Sequence, residues 1–262
     1  MDEIYLPLLR PGQIRERLSR TPVAFIPIGP LEWHGPHCPY GTDGLNAQHT
    51  AAEVCQRIGG VLWPTLFWGT ERERRPDQLE SLGFPKEAYV VGMDFPANPV
   101  PSSYCPEEIL AILVRETLRQ AGALGAKLAA VINCHGAENH MAMLRRLQVE
   151  ISRTSGPRVY LFVPAPSDGS GGHADAGETS LMMHLTRSVD LSALPTGTER
   201  LRYVDHAVVD GGGFDGKTPD HTLPEQYDPR RHSSPEHGRQ GFQMACNRIE
   251  QQVRAVLREM GA

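Results

Sequence analysis

The feature that most constrains this chain is a set of short, unbroken apolar runs, each followed by a polar turn and then by a stretch of helical periodicity. Pro22 to Ile28 (PVAFIPI) closes on Gly29-Pro30, and Leu128 to Ile132 (LAAVI) opens into Asn133-Cys134-His135-Gly136. Val61 to Trp68 and Arg158 to Val163 repeat the pattern. Such runs are too short for core helices, and their lack of polar alternation predicts strands buried on both faces. Helices are predicted between them, from about Leu45 to Ile58, from Pro106-Glu107-Glu108 to the stop at Gly122 and Gly125, from about Asn139 to Arg153, and from about Glu178 to Arg187. The second of these should bury Ile109, Leu110, Leu113, Val114 and Leu118 and expose Arg115, Glu116 and Arg119. Phe242, Cys246, Ile249, Val253, Val256, Leu257 and Met260 share one face of a long final helix.

This alternation predicts an α/β fold, a mainly parallel sheet flanked by helices on both faces, with ligands bound beyond the carboxyl ends of the strands. At 262 residues the whole chain, 1–262, is expected to be one domain. Residues 69–104, rich in Pro, Gly, Ser and charge, form an irregular excursion suited to a lid or a subunit contact. Gly211-Gly212-Gly213 reads as a flexible loop, and no G-x-G-x-x-G or P-loop pattern occurs. The net charge of −5 argues against nucleic acid as a partner. No apolar run reaches the roughly 18 residues of a membrane span, and Asp2, Glu3 and Arg10 interrupt any signal-like segment. Five cysteines without a C-x-x-C pair point to free thiols and a reducing, cytoplasmic location.

Potential ligands concentrate in three of the turns. The first carries Glu32-Trp33-His34-Gly35-Pro36-His37 and then Thr42-Asp43, where carboxylates and imidazoles together suit zinc, manganese or iron better than calcium. The second is Asn133-Cys134-His135-Gly136-Ala137-Glu138-Asn139, and the third is His173-Ala174-Asp175-Ala176-Gly177-Glu178-Thr179-Ser180. Singly, each also reads as something ordinary: a polar surface turn, a hydrogen-bonded core histidine, or an acid capping the next helix. Three such turns beyond one sheet are hard to treat as unrelated.

The series E-x-H-G-P-H, T-D, N-x-H-G and H-A-x-x-x-E-T-S, in this order, resembles the creatininase family of metal-dependent amidohydrolases. Phe95-Pro96 resembles the family's F-P-G-T segment, and Gly238 its closing P-x-x-A-x-x-x-G pattern. The resemblance implies two divalent cations, zinc or manganese with iron as a further option. It makes Glu32 and His135 terminal ligands of one ion, His34 a ligand of the other, and Asp43 the bridge. The last ligand is Glu178 or, as second choice, Glu138, because His135 to Asn139 is one residue longer than the family's forms. His173 matches the catalytic histidine that would donate a proton to the leaving group or hold the oxyanion, with Glu138 the other acid near the chemistry. His37 is expected to orient a ligand from behind.

The implied reaction is hydrolysis of a small polar cyclic amide by a hydroxide bridging the two metals, with no serine nucleophile. Where the family's type member has aromatic residues before its catalytic histidine and a tyrosine after its metal histidine, this chain has Ser170-Gly171-Gly172 and Gly136. Creatinine should therefore fit poorly, and ring opening of a keto-inositol of the 3-dehydro-scyllo-inosose type is the alternative. A catalytically silent metal-binding assembly protein is the alternative of another class, and an α/β binding protein without metal is a third reading. The resemblance also implies a homo-oligomer, a hexamer.

Overall fold

The computed structural model describes residues 3–154, 156–164, 172–197, 200–204, 207–209 and 224–261. Its centre is a sheet of β1 (Val23–Ile28), β2 (Val61–Leu62), β3 (Leu128–Asn133) and β4 (Arg158–Phe162) in the order β2-β1-β3-β4, every pair parallel. β1 and β3 pair in full, from Val23 opposite Leu128 to Ile28 opposite Asn133.

Successive residues of one strand point to opposite faces. Ala24, Ile26 and Ile28 join Ala129 and Val131 against α4 (Glu107–Ala123) and α5 (Glu138–Ser152), through Leu110, Val114, Leu118, Met143 and Leu147. Val23 and Phe25 join Leu128, Ala130 and Ile132 against α2 (Thr42–Ile58) and α8 (Pro235–Glu259), through Ala47, Ala51, Val54, Cys246, Ile249 and Val253. Both faces are thus covered, and each large apolar side chain so buried stabilises the sheet by about 1.5–3 kcal/mol. From β1 the chain goes to β2 on one side and returns to place β3 on the other, so the carboxyl ends of β1 and β3 flank the switch point where a crevice opens.

Several boundaries differ from the sequence expectation. The run Val61 to Trp68 pairs with β1 as a strand only over Val61–Leu62, with one further bridge between Ile28 and Leu66, because the next β1 residue due to donate to it is Pro27, which has no N–H. α2 begins at Thr42, which puts Asp43 in the first turn of a helix rather than in the loop. α6 (Ala176–Leu185) likewise starts two residues early and takes Glu178 into its first turn. α4 buries Leu110, Ala111, Val114, Thr117, Leu118 and Ala121, whereas Ile109 and Leu113 are exposed, because the alanines allow the helix to lie close against the strands. α1 (Pro11–Arg20) is a helix the sequence reading does not contain; Leu18 and Ile14 pack it into this core beside β2. The excursion 69–104 contains the short α3 (Pro76–Ser81), and Leu79, Leu82, Phe84, Val90, Met93 and Phe95 gather with Trp33 into a small core of their own. Among the described residues no helix is long and apolar enough to cross a membrane. Gly211-Gly212-Gly213 and Ser170-Gly171 lie outside the described residues.

Gly29 ends β1 where the first turn of α2 passes closest. A Cβ there would stand 2.8 Å from the backbone carbon and the Cβ of Asp43. Gly29→Ala is expected to destabilise the chain by about 1–3 kcal/mol through overpacking. Urea denaturation checks this, and an unchanged midpoint would mean that α2 is free to shift.

Candidate metal centre

The crevice holds a buried cluster of acids and imidazoles. Pro30 and Gly35, the latter with φ of +67°, bend the chain after β1 so that Glu32 and His34, 3% and 1% exposed, point inward. Asn133, at the end of β3, folds the next turn back: its side-chain amide donates to the His135 carbonyl at 2.7 Å, and its Oδ1 accepts from His140 Nε2 at 3.0 Å. At the start of α6, Asp175 accepts from the N–H groups of Gly177 and Glu178. Ala174 takes a left-handed φ of 57°, unusual for a residue with a side chain, and its N–H donates to Glu178 Oε2 at 2.7 Å.

Three ligand groups result, each with its atoms within 4.8 Å of one another: Glu32, Asp43 and His135; His34, Asp43 and Glu178; and Glu32, His34 and His173. His135 Nδ1 lies 3.2 Å from Asp43 Oδ2 and 3.5 Å from Glu32 Oε2. His34 Nε2 lies 3.3 Å from Asp43 Oδ1 and 3.7 Å from Glu178 Oε2. Asp43 therefore serves both of the first two groups, one oxygen to each. His34 Nδ1 faces the Glu32 carbonyl oxygen at 3.0 Å. A carbonyl only accepts, so Nδ1 carries a hydrogen, and Nε2, a buried atom without a hydrogen-bond partner, is the nitrogen that offers a lone pair once a cation displaces its proton.

The electrostatics follow from crowding. Two ionised carboxylates 4 Å apart repel by about 4 kcal/mol at an effective dielectric of 20, so Asp43 with Glu32 and Glu178 close on either side needs positive charge nearby. Burial would raise Asp43, but His34 and His135 hold it well below the carboxylate range. Burial opposes charge on His34, yet Asp43, Glu178 and Glu32 outweigh it and lift the ring to about 10. Glu178 is pushed up to about 8 by burial, partly offset by His34. For Glu32, His135 and His173 overcome burial and the carboxyl stays below its ordinary value. These negative surroundings equally suit cations, and the mixed oxygen and nitrogen donors fit zinc or manganese.

His173 stacks on His34 with ring centres 3.9 Å apart, donates Nε2–H to the Trp33 carbonyl, and turns Nδ1 toward Glu32 Oε2, 3.9 Å away. Burial, with His34 beside it, lowers its pKa to about 4. Glu138 stands apart from the cluster. As the first residue of α5 its side chain is 87% exposed and meets Arg72 at 3.5 Å across the cleft mouth, because the longer turn after His135 carries it outward. His37 reaches no ligand directly. Its Nε2 pairs with Thr179 Oγ1 at 2.8 Å, next to Glu178, which ties the first loop to α6. Thr179→Val leaves the buried His37 Nε2 without its Thr179 partner and should cost about 1–3 kcal/mol in urea denaturation; no loss would mean the contact is unimportant to α6.

Sequence reasoning missed Tyr104 and Glu71. The Tyr104 hydroxyl donates to Glu32 Oε1, and Glu71 Oε1 lies 4.0 Å from His135 Nε2. Glu71 sits in the charged run Thr70 to Arg75, which looks like a solvated surface, although its place shortly after a strand was a usable signal. The cluster opens into a cleft of about 1060 Å³ lined also by Asn46, Arg72, Gly136, Gly172, Tyr227 and Phe242.

Known proteins agree with this architecture. The chain is 32% identical over 66 residues to 3-dehydro-scyllo-inosose hydrolase of Thermotoga maritima, covering 25% of this chain and 21% of that protein. It is 26% identical over 180 residues to the mycofactocin precursor peptide peptidase of Mycolicibacterium smegmatis, covering 66% of this chain and 61% of that one. The chain thus spans less than two thirds of either relative. A creatininase mutant superposes with a TM-score of 0.69 at 17% identity, over 97% of this chain and 98% of its own. A manganese form of creatininase (TM-score 0.65) and a Zn–Zn form of a mutant (0.63), each 19% identical, cover the same shares. These likenesses establish a shared fold. The family model for creatininase, described as creatinine amidohydrolase, matches residues 8–253, and the chain belongs to the creatininase family of hydrolases.

Proposed function

We propose that this chain is a binuclear metal hydrolase that cleaves an amide-type bond in a small, polar, cyclic substrate. The observation that carries the reading is the sharing of Asp43 between two carboxylate–imidazole pockets. Glu32, Asp43 and His135 would hold one divalent cation and His34, Asp43 and Glu178 the other, as zinc or manganese, with iron also compatible with these donors. When bound, such a pair lowers the pKa of water toward neutrality and polarises a carbonyl. The protein's own groups supply the rest. His173, held through Nε2–H by the Trp33 carbonyl, has Nδ1 available to take the proton that the attacking water gives up and hand it to the departing nitrogen as the C–N bond breaks. Gly136 leaves open space on the cleft wall, where a Cβ would meet nothing within 4 Å, so room remains for ring substituents.

Ring opening of a cyclic polyol ketone is the second reading, favoured by the stretch shared with the inosose hydrolase. Metal analysis combined with turnover assays on cyclic amides, formamides, peptides and inosose-type ketones tests both. The expected result is hydrolysis of a cyclic amide that stops with chelator and returns with zinc or manganese. Activity on the ketone alone would move the assignment to the second reading, and bound metal with no turnover anywhere would favour an assembly role.

A further inference from the structure

The two pockets are supported by different parts of the chain. Around His34 and Glu178 the supporting partners are main-chain groups: the Glu32 carbonyl on His34 Nδ1 at 3.0 Å and the Ala174 N–H on Glu178 Oε2 at 2.7 Å. Around Glu32 and His135 they are side chains, and both come from the excursion at 69–104. The Tyr104 hydroxyl donates to Glu32 Oε1, which leaves Oε2 as the oxygen facing His135. His135 uses Nδ1 toward Asp43 and Glu32, and its buried Nε2 has no hydrogen-bond partner. The carboxylate nearest that nitrogen is Glu71, with Oε1 at 4.0 Å, while its Oε2 accepts the Arg72 N–H at 2.9 Å and so fixes the group's orientation.

We infer that Tyr104 and Glu71 are positioning residues for the Glu32/Asp43/His135 cation pocket and not for its neighbour. The inference rests on the binuclear reading. Gly92 joins the two residues physically. It has a φ of +54°, and a Cβ on it would lie 2.6 Å from Glu71 Cγ and 2.8 Å from the Tyr104 hydroxyl, so both pack on the space its missing side chain leaves. Cys105 N–H donates to the Gly69 carbonyl at 2.9 Å, which holds the two ends of the excursion side by side. Glu71 is the carboxylate placed to receive the Nε2 hydrogen of His135 when Nδ1 holds a cation, and the Tyr104 phenol fixes the Glu32 rotamer, so each would act through a ligand.

Loss of such partners typically weakens metal affinity by about 10- to 100-fold. The test titrates the metal-free chain, and its Tyr104→Phe and Glu71→Gln variants, with Mn²⁺, counting ions by native mass spectrometry and following the electron paramagnetic resonance of coupled manganese. The wild type should take up two ions. Each variant should hold one ion at the concentration that fills both wild-type sites, replace the coupled signal by that of isolated manganese, and need about 10- to 100-fold more metal for the second. With diamagnetic Zn²⁺, the imidazole ¹⁵N resonances of His34 should respond to the retained ion while those of His135 do not. Variants that bind two ions as tightly as wild type, or that weaken both equally, overturn this inference alone. A wild-type chain that takes up no ion overturns the binuclear reading and the inference with it.

Discussion

Replacing Asp43 with alanine is expected to remove both cations at once, which no other single change in the cluster should do. Its Oδ1 faces His34 at 3.3 Å and its Oδ2 faces His135 at 3.2 Å, so one side chain closes both pockets. The loss of affinity should exceed the 10- to 100-fold that follows from removing a mere outer partner of a ligand, and it should appear in both binding steps. A folded state saturated at about 1,000 times Kd gains about 4.1 kcal/mol from one bound ion, so added zinc or manganese should raise the denaturation midpoint of the wild type and leave that of Asp43→Ala unmoved. Glu32→Gln or Glu178→Gln should weaken one step only. An Asp43→Ala chain that still bound two ions would show that the pockets do not share this carboxylate.

The second large effect is expected where α6 packs on α8, at the wall of the same cleft. A Cβ on Gly238 would come 1.9 Å from the Ser180 carbonyl oxygen and 2.8 Å from the Leu181 nitrogen. Both are backbone atoms, so no side chain can rotate away and one helix must move. Alanine in a helix is favoured over glycine by about 1 kcal/mol, but a clash of this depth costs about 1–3 kcal/mol or more, so Gly238→Ala should be destabilising overall. Because Glu178 lies in the first turn of α6, the displacement should also weaken the His34/Asp43/Glu178 pocket. Gly241, one turn along α8 with nothing within 4 Å of its Cβ position, is the internal control, and Gly241→Ala should be neutral or stabilising. Calorimetry with metal titration checks both variants. Equal behaviour of the two would mean the crossing is not tight.

The parallel sheet was legible because β1 and β3 are apolar on both faces, and a strand of that kind leaves few alternatives. Glu32, His34, Asp43, His135 and Glu178 could be expected together because each follows, or opens the helix after, a strand of one sheet. Less was readable where tertiary contacts decide. The face that α4 buries depends on Ala111 and Ala121 letting the helix approach, which a count of large apolar residues misplaces onto Ile109 and Leu113. The position of Glu138 depends on where α5 starts, one residue after Ala137, and this carries its carboxylate to the rim. Glu71 and Tyr104 lie 33 positions apart in an irregular stretch, and only the pairing of Gly69 with residues 103–105 brings them to Glu32 and His135.

The position of bound cations is the property that decides between one shared centre and none. Anomalous diffraction from crystals of the chain grown with Mn²⁺, recorded at a wavelength sensitive to manganese, locates them without reference to activity. Two peaks on either side of the Asp43 carboxylate are predicted, one contacting Glu32 and His135 and the other contacting His34 and Glu178. Peaks confined to the molecular surface, or none within the cleft, would contradict a shared centre.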